Sequence, residues 1–438
     1  MQSTNRREFV KEVSTGLAAT AALTSVRPAL GAGANEEVVV GLVGCGGRGT
    51  YLGDRFSKVK NVRVAWVCDA NSQRLKKAAA GFGGYQPQVT DDMRKMFADK
   101  SLDGVIVATP DHWHAPAAIS ACDAGKHVYV EKPCSHNIRE GRLLVEAARR
   151  NERIVQHGTQ VRSTDMMIEA MQLLREGAIG DVLVSKAWNI QKRSSIGHGT
   201  PGVAPSHLDY DSWVGPATMI PYQANRVNSG WHWWYHFGTG DMGNDGVHDI
   251  DYARWGLGVE THPNRVAAIG GKYFFDDDQQ FPDTQQVSFQ YDGDGSPGSS
   301  RMLIYEQRLW STNYPFNVDS GVEYYGTKGK LFLSRRGKAQ LLDSRNQRQA
   351  LKIPFKEQDA DAHIANFIES IRGNEKPNGE IELGHLTSSL CHLGNIATRL
   401  GRSLEFDPEQ EQILNDAEAN RLVSRDYRPE YWGTPRNV

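Results

Sequence analysis

Three stretches of the chain hold residues whose types and spacing could do chemistry. The first is Gly44-Cys45-Gly46-Gly47-Arg48-Gly49, a G-x-G-x-x-G pattern entered from the β-branched run Val38-Val39-Val40-Gly41-Leu42-Val43. Gly44 permits a tight turn, Gly46 lets backbone approach a pyrophosphate, and Gly49 lets the next helix pack closely, so that N–H groups at its start meet phosphate oxygens. The second is Asp69, which closes a strand-like run about twenty residues past the last glycine, where a carboxylate accepts hydrogen bonds from ribose hydroxyls. Asp69 argues for NAD, while Arg74 close behind keeps a 2′-phosphate, and so NADP, in view. The third is Glu131-Lys132-Pro133, at the end of His127-Val128-Tyr129-Val130. An ammonium there, beside a bound hydroxyl, stabilises alkoxide charge as hydride leaves carbon. Each stretch has a plainer reading: a glycine loop without a ligand, an aspartate that caps a helix, a surface lysine paired with Glu131.

These residues need a scaffold that brings strand ends together. The runs 38–43, 62–68, 102–110 and 127–133 are apolar and β-branched, as parallel strands buried on both faces are, and ligands on such sheets bind at the carboxyl ends. Thr109-Pro110 is a turn at one such end, followed by Asp111-His112-Trp113-His114 and a helix of small apolar residues. Beyond residue 160, helical spacing marks 166–175, strand-like alternation marks 182–188, 285–291, 302–305 and 321–325, and helices return at 362–371 and 383–399, the last stopped by Gly401. With 438 residues, 39% hydrophobic and 23% charged, the chain suits two globular domains. A net charge of −2 gives no basic excess for nucleic acid or an acidic membrane surface. The five cysteines lack metal-like spacing, and neither His112/His114 nor His232/His236 makes a strong ligand pair, so no metal is expected.

The glycine loop, Thr109-Pro110, Glu131-Lys132-Pro133 and His157-Gly158-Thr159-Gln160-Val161-Arg162 together resemble the Gfo/Idh/MocA oxidoreductases. The resemblance implies an α/β chain: a Rossmann domain at 35–158, then an α/β domain at 159–438 with a large, mostly antiparallel sheet for substrate and oligomer contacts. It implies a nicotinamide cofactor, NAD with NADP as the alternative, held by Gly44, Cys45, Gly46, Gly47, Arg48, Gly49, Asp69, Arg74, Thr109, Pro110, His114, Glu131 and Lys132. It also implies a catalytic helix in which an aspartate and a histidine four residues apart handle the substrate proton. His248 fits the histidine, but Asn244 stands four before it and cannot exchange a proton at neutral pH. Either Asp241 supplies the carboxylate, because seven residues return to the same face of an α-helix, or Asn244 only orients the substrate. Gln160 and Arg162 are expected at the cleft, though Arg162 could equally form an interdomain ion pair. Trp231, Trp234 and Tyr235 could present flat faces to a sugar ring or pack a sheet interface.

The expected activity is oxidation of a sugar, glycoside or polyol hydroxyl by hydride transfer. A glycosidase that oxidises, eliminates and reduces again on one retained cofactor is the alternative, and a non-catalytic nucleotide-binding protein is the third reading. The segment 1–34 carries Asn5-Arg6-Arg7-Glu8-Phe9-Val10-Lys11, a short apolar run and Ala32-Gly33-Ala34, and resembles a twin-arginine export signal. It implies passage through the twin-arginine machinery to the periplasm or otherwise out of the cytoplasm, already folded, with the cofactor seated. A homo-oligomer formed through the second sheet is expected.

Overall fold

The computed structural model describes residues 37–438, so the signal-like segment lies outside the described residues. Six parallel strands form the first sheet: β1 (Val38–Val43), β2 (Val62–Cys68), β3 (Gln88–Thr90), β4 (Gly104–Val107), β5 (His127–Val130) and β6 (Val155–His157), in the order β3-β2-β1-β4-β5-β6. This order reverses direction between β1 and β4, and the crevice at that switch point is where the glycine loop and the Thr109-Pro110 turn meet. All six residues of β1 are buried, which is why its sequence reads as a continuous apolar run. Five helices connect these strands: α1 (Gly47–Phe56), α2 (Ser72–Ala78), α3 (Met93–Phe97), α4 (Asp111–Asp123) and α5 (Ile138–Arg150).

The second sheet has ten strands: β7 (Val182–Asn189), β8 (Arg265–Gly271), β9 (Thr284–Tyr291), β10 (Arg301–Arg308), β11 (Ser320–Gly326), β12 (Gly329–Ser334), β13 (Lys338–Asp343), β14 (Arg348–Gln349), β15 (Leu404–Asp407) and β16 (Gln412–Ile413). Among the described residues only β7 and β10 pair in parallel in this sheet, and every other neighbouring pair is antiparallel. One face of this sheet packs on α6 (Asp165–Arg175) and α8 (Val247–Leu257), through Met171, Ile250, Tyr252, Val287, Leu303 and Tyr324. A short helix α7 (Tyr210–Val214) lies in the long connection from β7 to β8. Each fully buried Leu or Ile in such a layer contributes roughly 1.5–3 kcal/mol.

The chain does not leave its first half behind. Helix α9 (Ala360–Ile371) crosses back and places Ile364, Phe367, Ile368 and Ile371 in one core with Val38, Leu42, Leu52 and Phe56, while Ile381, the first residue of α10 (Ile381–Leu400), joins the core on the sheet's other face. The C-terminal segment returns as well. Arg425 ion-pairs with Glu140 on α5 at 2.6 Å, the Tyr427 hydroxyl donates to the same carboxylate at 2.9 Å, and Trp432 lies against Trp113 with ring centroids 5.6 Å apart. Arg94 sits 4.7 Å over the Trp432 ring, so this segment straps α3, α4 and α5 together.

Candidate active site

A cleft of about 870 Å³ is lined from both halves of the chain. Its first wall is the glycine loop. Gly44 has φ +90, and a Cβ there would stand 2.5 Å from the Ala108 carbonyl; a Cβ on Gly49 would stand 1.8 Å from the Gly44 carbonyl. Gly47 has open space around the same position, on the cavity side of the loop. The N-cap Gly46 makes no side-chain cap bond, so the first N–H groups of the ten-residue α1 are left for an anion. Asp69 accepts the Cys45 N–H at 2.6 Å and the Asn71 N–H at 2.8 Å, which fixes its carboxylate at the rim of the cleft beside Arg74. Burial pushes the Asp69 carboxyl above its ordinary value, against those two hydrogen bonds and the Arg74 charge. Thr109 lines the same space with a buried hydroxyl that has no partner among the described residues. A bent glycine loop, a free helix start and a carboxylate at the next strand end fit a dinucleotide along this wall.

The inner end of the cleft holds Glu131, Lys132, Gln160, Asn244, Asp245 and His248. Arg48 donates from Nε to Glu131 Oε1 at 2.7 Å. Burial opposes the Glu131 charge, but Arg48 and Lys132 outweigh it and hold the carboxyl below its usual value. The Lys132 ammonium donates to the Asn244 backbone carbonyl and, at 3.1 Å, to the Asn244 side-chain oxygen. Asn244 and Asp245 belong to a π-helical turn, Met242–Gly246, that leads directly into α8. His248 lies one turn on, and its Nδ1 is buried with no hydrogen-bond partner among the described residues. Burial, then Arg335 and Lys132, drive His248 well below its ordinary value, so it stands as a neutral imidazole. Gln160 donates to the Tyr129 hydroxyl at 3.1 Å. His114 is fixed by two backbone carbonyls, Pro133 at 2.6 Å from Nδ1 and Thr109 at 2.9 Å from Nε2.

Several residues expected at the site stand elsewhere. Asp241 is fully buried and does not line the cleft; it accepts from Asn189, Arg193 and Asn244. The turn that follows it winds more widely than an α-helix, so the seven-residue spacing to His248 does not bring the two side chains to one face. Cys45 and Gly49 pack beneath the loop and serve its shape, Gly49 through the missing Cβ. Arg162 ion-pairs with Asp251 at 2.8 Å and lies 5.0 Å from the Trp255 ring, behind the cavity and within the second half. The segment around Trp231 is neither strand nor α-helix but a 3-10 turn, Gly230–Trp233. Trp231 reaches the cleft together with His232, whereas Trp234 turns away to donate to the Asn225 carbonyl at 3.2 Å and Tyr235 lines a different cavity. In their place the fold supplies Asp245 and Arg335. Asp245 pairs with Arg193 at 2.6 Å and Arg335 at 2.9 Å; burial works against its charge, but Arg335, Arg193 and Lys132 keep it ionised. Trp113, Trp213 and Trp432 complete the walls.

A Rossmann sheet at whose strand ends a cofactor wall meets a lysine–histidine pair defines a nucleotide-dependent oxidoreductase class. Residues 38–159 match the oxidoreductase family model for an NAD-binding Rossmann fold, and residues 186–433 match its C-terminal alpha/beta domain. The chain belongs to the Gfo/Idh/MocA family. A glycosyl hydrolase family 109 protein of Saccharopolyspora erythraea is 32% identical over 191 residues, 40% of each chain, and one of a Shewanella species is 29% identical over 159 residues, 35% of each. The chain thus spans 35–40% of the length of these curated relatives in the matched stretch. In fold, it is similar to the WlbA dehydrogenase of Bordetella pertussis in complex with NADH and UDP-GlcNAcA, with TM-score 0.64, 18% identity, and 85% of this chain and 99% of that one covered. Levoglucosan dehydrogenase in complex with NADH and levoglucosan gives TM-score 0.64 and 18% identity over 84% and 99% of the two chains.

Proposed function

We propose that the chain is an NAD(P)-dependent oxidoreductase that oxidises a hydroxyl of a sugar, glycoside or polyol. The observation that carries this reading is the single cleft in which the Gly44–Asp69 wall and the Lys132–Asn244–His248 group face one space. A bound nicotinamide would supply the hydride acceptor. His248, held neutral, takes the hydroxyl proton, and the Lys132 ammonium stabilises the alkoxide. Asn244 positions Lys132 by two hydrogen bonds, and Asp245, fixed between two arginines, is placed to accept from a neighbouring sugar hydroxyl. A panel of sugars and polyols tests this: new absorbance of the reduced ring with at least one of them supports oxidation, and none with any leaves only nucleotide binding.

One observation favours a second reading. A hollow of about 500 Å³ adjoins the cleft and shares Asn228, Ser229, His232 and Asn244 with it, which gives an aglycone room beyond the oxidised ring. Oxidation, elimination of that aglycone, addition of water across the double bond so formed and re-reduction would give hydrolysis with no net redox change, in keeping with the names of the family 109 relatives. Nitrophenol release from nitrophenyl glycosides without NADH accumulation supports this reading, and silence across the panel removes it.

Export by the twin-arginine route, a retained cofactor and a homo-oligomer built on the second sheet belong to the same proposal. Arg6-Arg7 supports export, and the strap that ties Trp432 to Trp113 and Arg94 at the cleft supports retention. Protein purified without nucleotide, denatured and assayed, should release near-stoichiometric NAD(P); an empty protein would return it to the dehydrogenases that exchange their cofactor.

A further inference from the structure

Four residues line both the cleft and the hollow beside it, Asn228, Ser229, His232 and Asn244, and of these His232 alone exchanges a proton near neutral pH. The 3-10 turn that carries it, Gly230–Trp233, is pinned by close backbone approaches on both sides. A Cβ on Gly230 would stand 1.9 Å from the Asn225 carbonyl oxygen, and one on Gly238 would stand 2.5 Å from the carbonyl oxygen of His232 itself. The Trp231 ring lies against the imidazole, with centroids 3.5 Å and planes 37° apart. Nδ1 of His232 is buried without a partner, so the half-buried ring opens at Nε2, which makes no hydrogen bond among the described residues. Burial, then the charges of Lys132 and Arg193, hold this imidazole below its ordinary value, against the pull of Asp245. The other acids and bases nearby are engaged. His114 is bonded through both ring nitrogens, Glu131 is held by Arg48, and Asp245 gives one carboxylate oxygen to Arg193 and the other to Arg335.

We propose, resting on the glycosidase reading of the same site, that His232 is the base that takes a carbon-bound proton when the aglycone is eliminated. Once a ring hydroxyl has become a ketone, that elimination removes hydrogen from the carbon between the carbonyl carbon and the carbon that bears the aglycone. With the carbonyl oxygen at Lys132 in the cleft and the aglycone in the hollow, this middle carbon falls at their junction, where His232 stands. The step balances on this residue and the substrate alone. Nε2 takes the proton, the C–H electron pair becomes the new C=C bond, the C–O bond to the aglycone breaks with its pair on oxygen, and the imidazolium returns the proton to that oxygen. The Lys132 charge that served the alkoxide then serves the enolate-like oxygen. Lys132 and Arg193 also make an imidazolium at His232 a strong acid, which suits it to pass the proton on. Two histidines on two elements thus divide two proton transfers, His248 from oxygen and His232 from carbon.

The test compares the parent with His232→Gln and His232→Asn, each saturated with NAD in heavy water, on the α- and β-4-nitrophenyl glucosides and galactosides. Nitrophenol release, absorbance of the reduced ring and deuterium in the sugar, by NMR, are followed together. The parent should release nitrophenol and leave deuterium on the carbon next to the anomeric carbon of the freed sugar. Both variants should lower release at least about a hundredfold while the first burst of reduced ring stays within about threefold of the parent, so that the reduced ring accumulates. Release by the variants equal to the parent's, loss of burst and release in the same proportion, or release by the parent without deuterium at that carbon would overturn the assignment of His232. A parent that reduces the ring but frees nitrophenol from none of the glycosides removes the glycosidase reading, and the role of His232 with it, a failure seen without any variant.

Discussion

In the proposed reaction Lys132 and His248 divide the chemistry between a fixed charge and a neutral base, and each division has its own signature. Lys132→Met removes charge at the alkoxide and leaves the glycine-loop wall intact, so kcat should fall by about 10²–10³ while NAD affinity changes little; steady-state rates beside a binding titration check both halves. His248 is held well below the ordinary imidazole value of 6.5. A lowered value favours the proton-free base, so kcat/KM should hold as pH falls to 6.5 and decline only below it. A His-type acid limb centred at 6.5 would show that this environment is absent in solution. Asp241 predicts a different outcome: Asp241→Ala leaves partly buried Arg193 with Asp245 alone and removes the acceptor of Asn189, and should cost roughly 1–3 kcal/mol of stability, read from denaturant melts. Residue types made Lys132 and His248 legible because their neighbours in sequence are also their neighbours in the cleft. Asp245 and Arg335 were not legible, since Arg335 follows β12 in a run, Ser334-Arg335-Arg336-Gly337, that looks like an exposed hairpin turn, and only the sheet carries it to α8.

The glycine loop and α1 act as one unit, held by a contact that only a missing side chain permits. Gly49→Ala would put a methyl 1.8 Å from the Gly44 carbonyl, so α1 must back away from β1 and take its N–H groups with it. NAD affinity should fall at least about tenfold, with an earlier melt, because the proposed function makes the helix start the phosphate site. Gly47→Ala, with open space at its Cβ, should melt like the parent and serves as the control. Parallel strands and their end residues could be read because burial on both faces leaves an apolar run and a turn signal. The π-helical turn at Met242–Gly246 could not, since nothing in its composition announces the wider winding that separates Asp241 from His248. The 3-10 turn at Gly230–Trp233 defeated the aromatic alternation for a similar reason: its packing partners lie in other segments, so local spacing carries no period.

At the scale of the molecule, burial of neutral histidines ties folding to acidity. Burial drives His112, His157 and His392 down to about 3 and His127 and His363 to about 4, against about 6.5 for the free side chain. Between those values and 6.5 the unfolded chain binds protons that the folded chain refuses, so stability rises with pH and is lost as pH falls below 6.5. Each histidine contributes up to about 1.4 kcal/mol per pH unit in that window; melts from neutral pH down to 5 should show a progressive drop, and a flat profile would mean these rings are charged in the fold. The return of α9 and of the C-terminal strap to the first sheet escaped the sequence, because helical spacing fixes which face is apolar but not which sheet receives it. That return has a practical side. Trp113 and Trp432, joined in the strap, stand with Trp213 and Trp231 around the cleft, and indole emission overlaps the absorption band of a dihydronicotinamide. The protein therefore carries its own optical gauge: its ultraviolet fluorescence should dim when the seated ring is reduced and recover when it is reoxidised, so a turnover that leaves no free NADH behind could still be watched in real time.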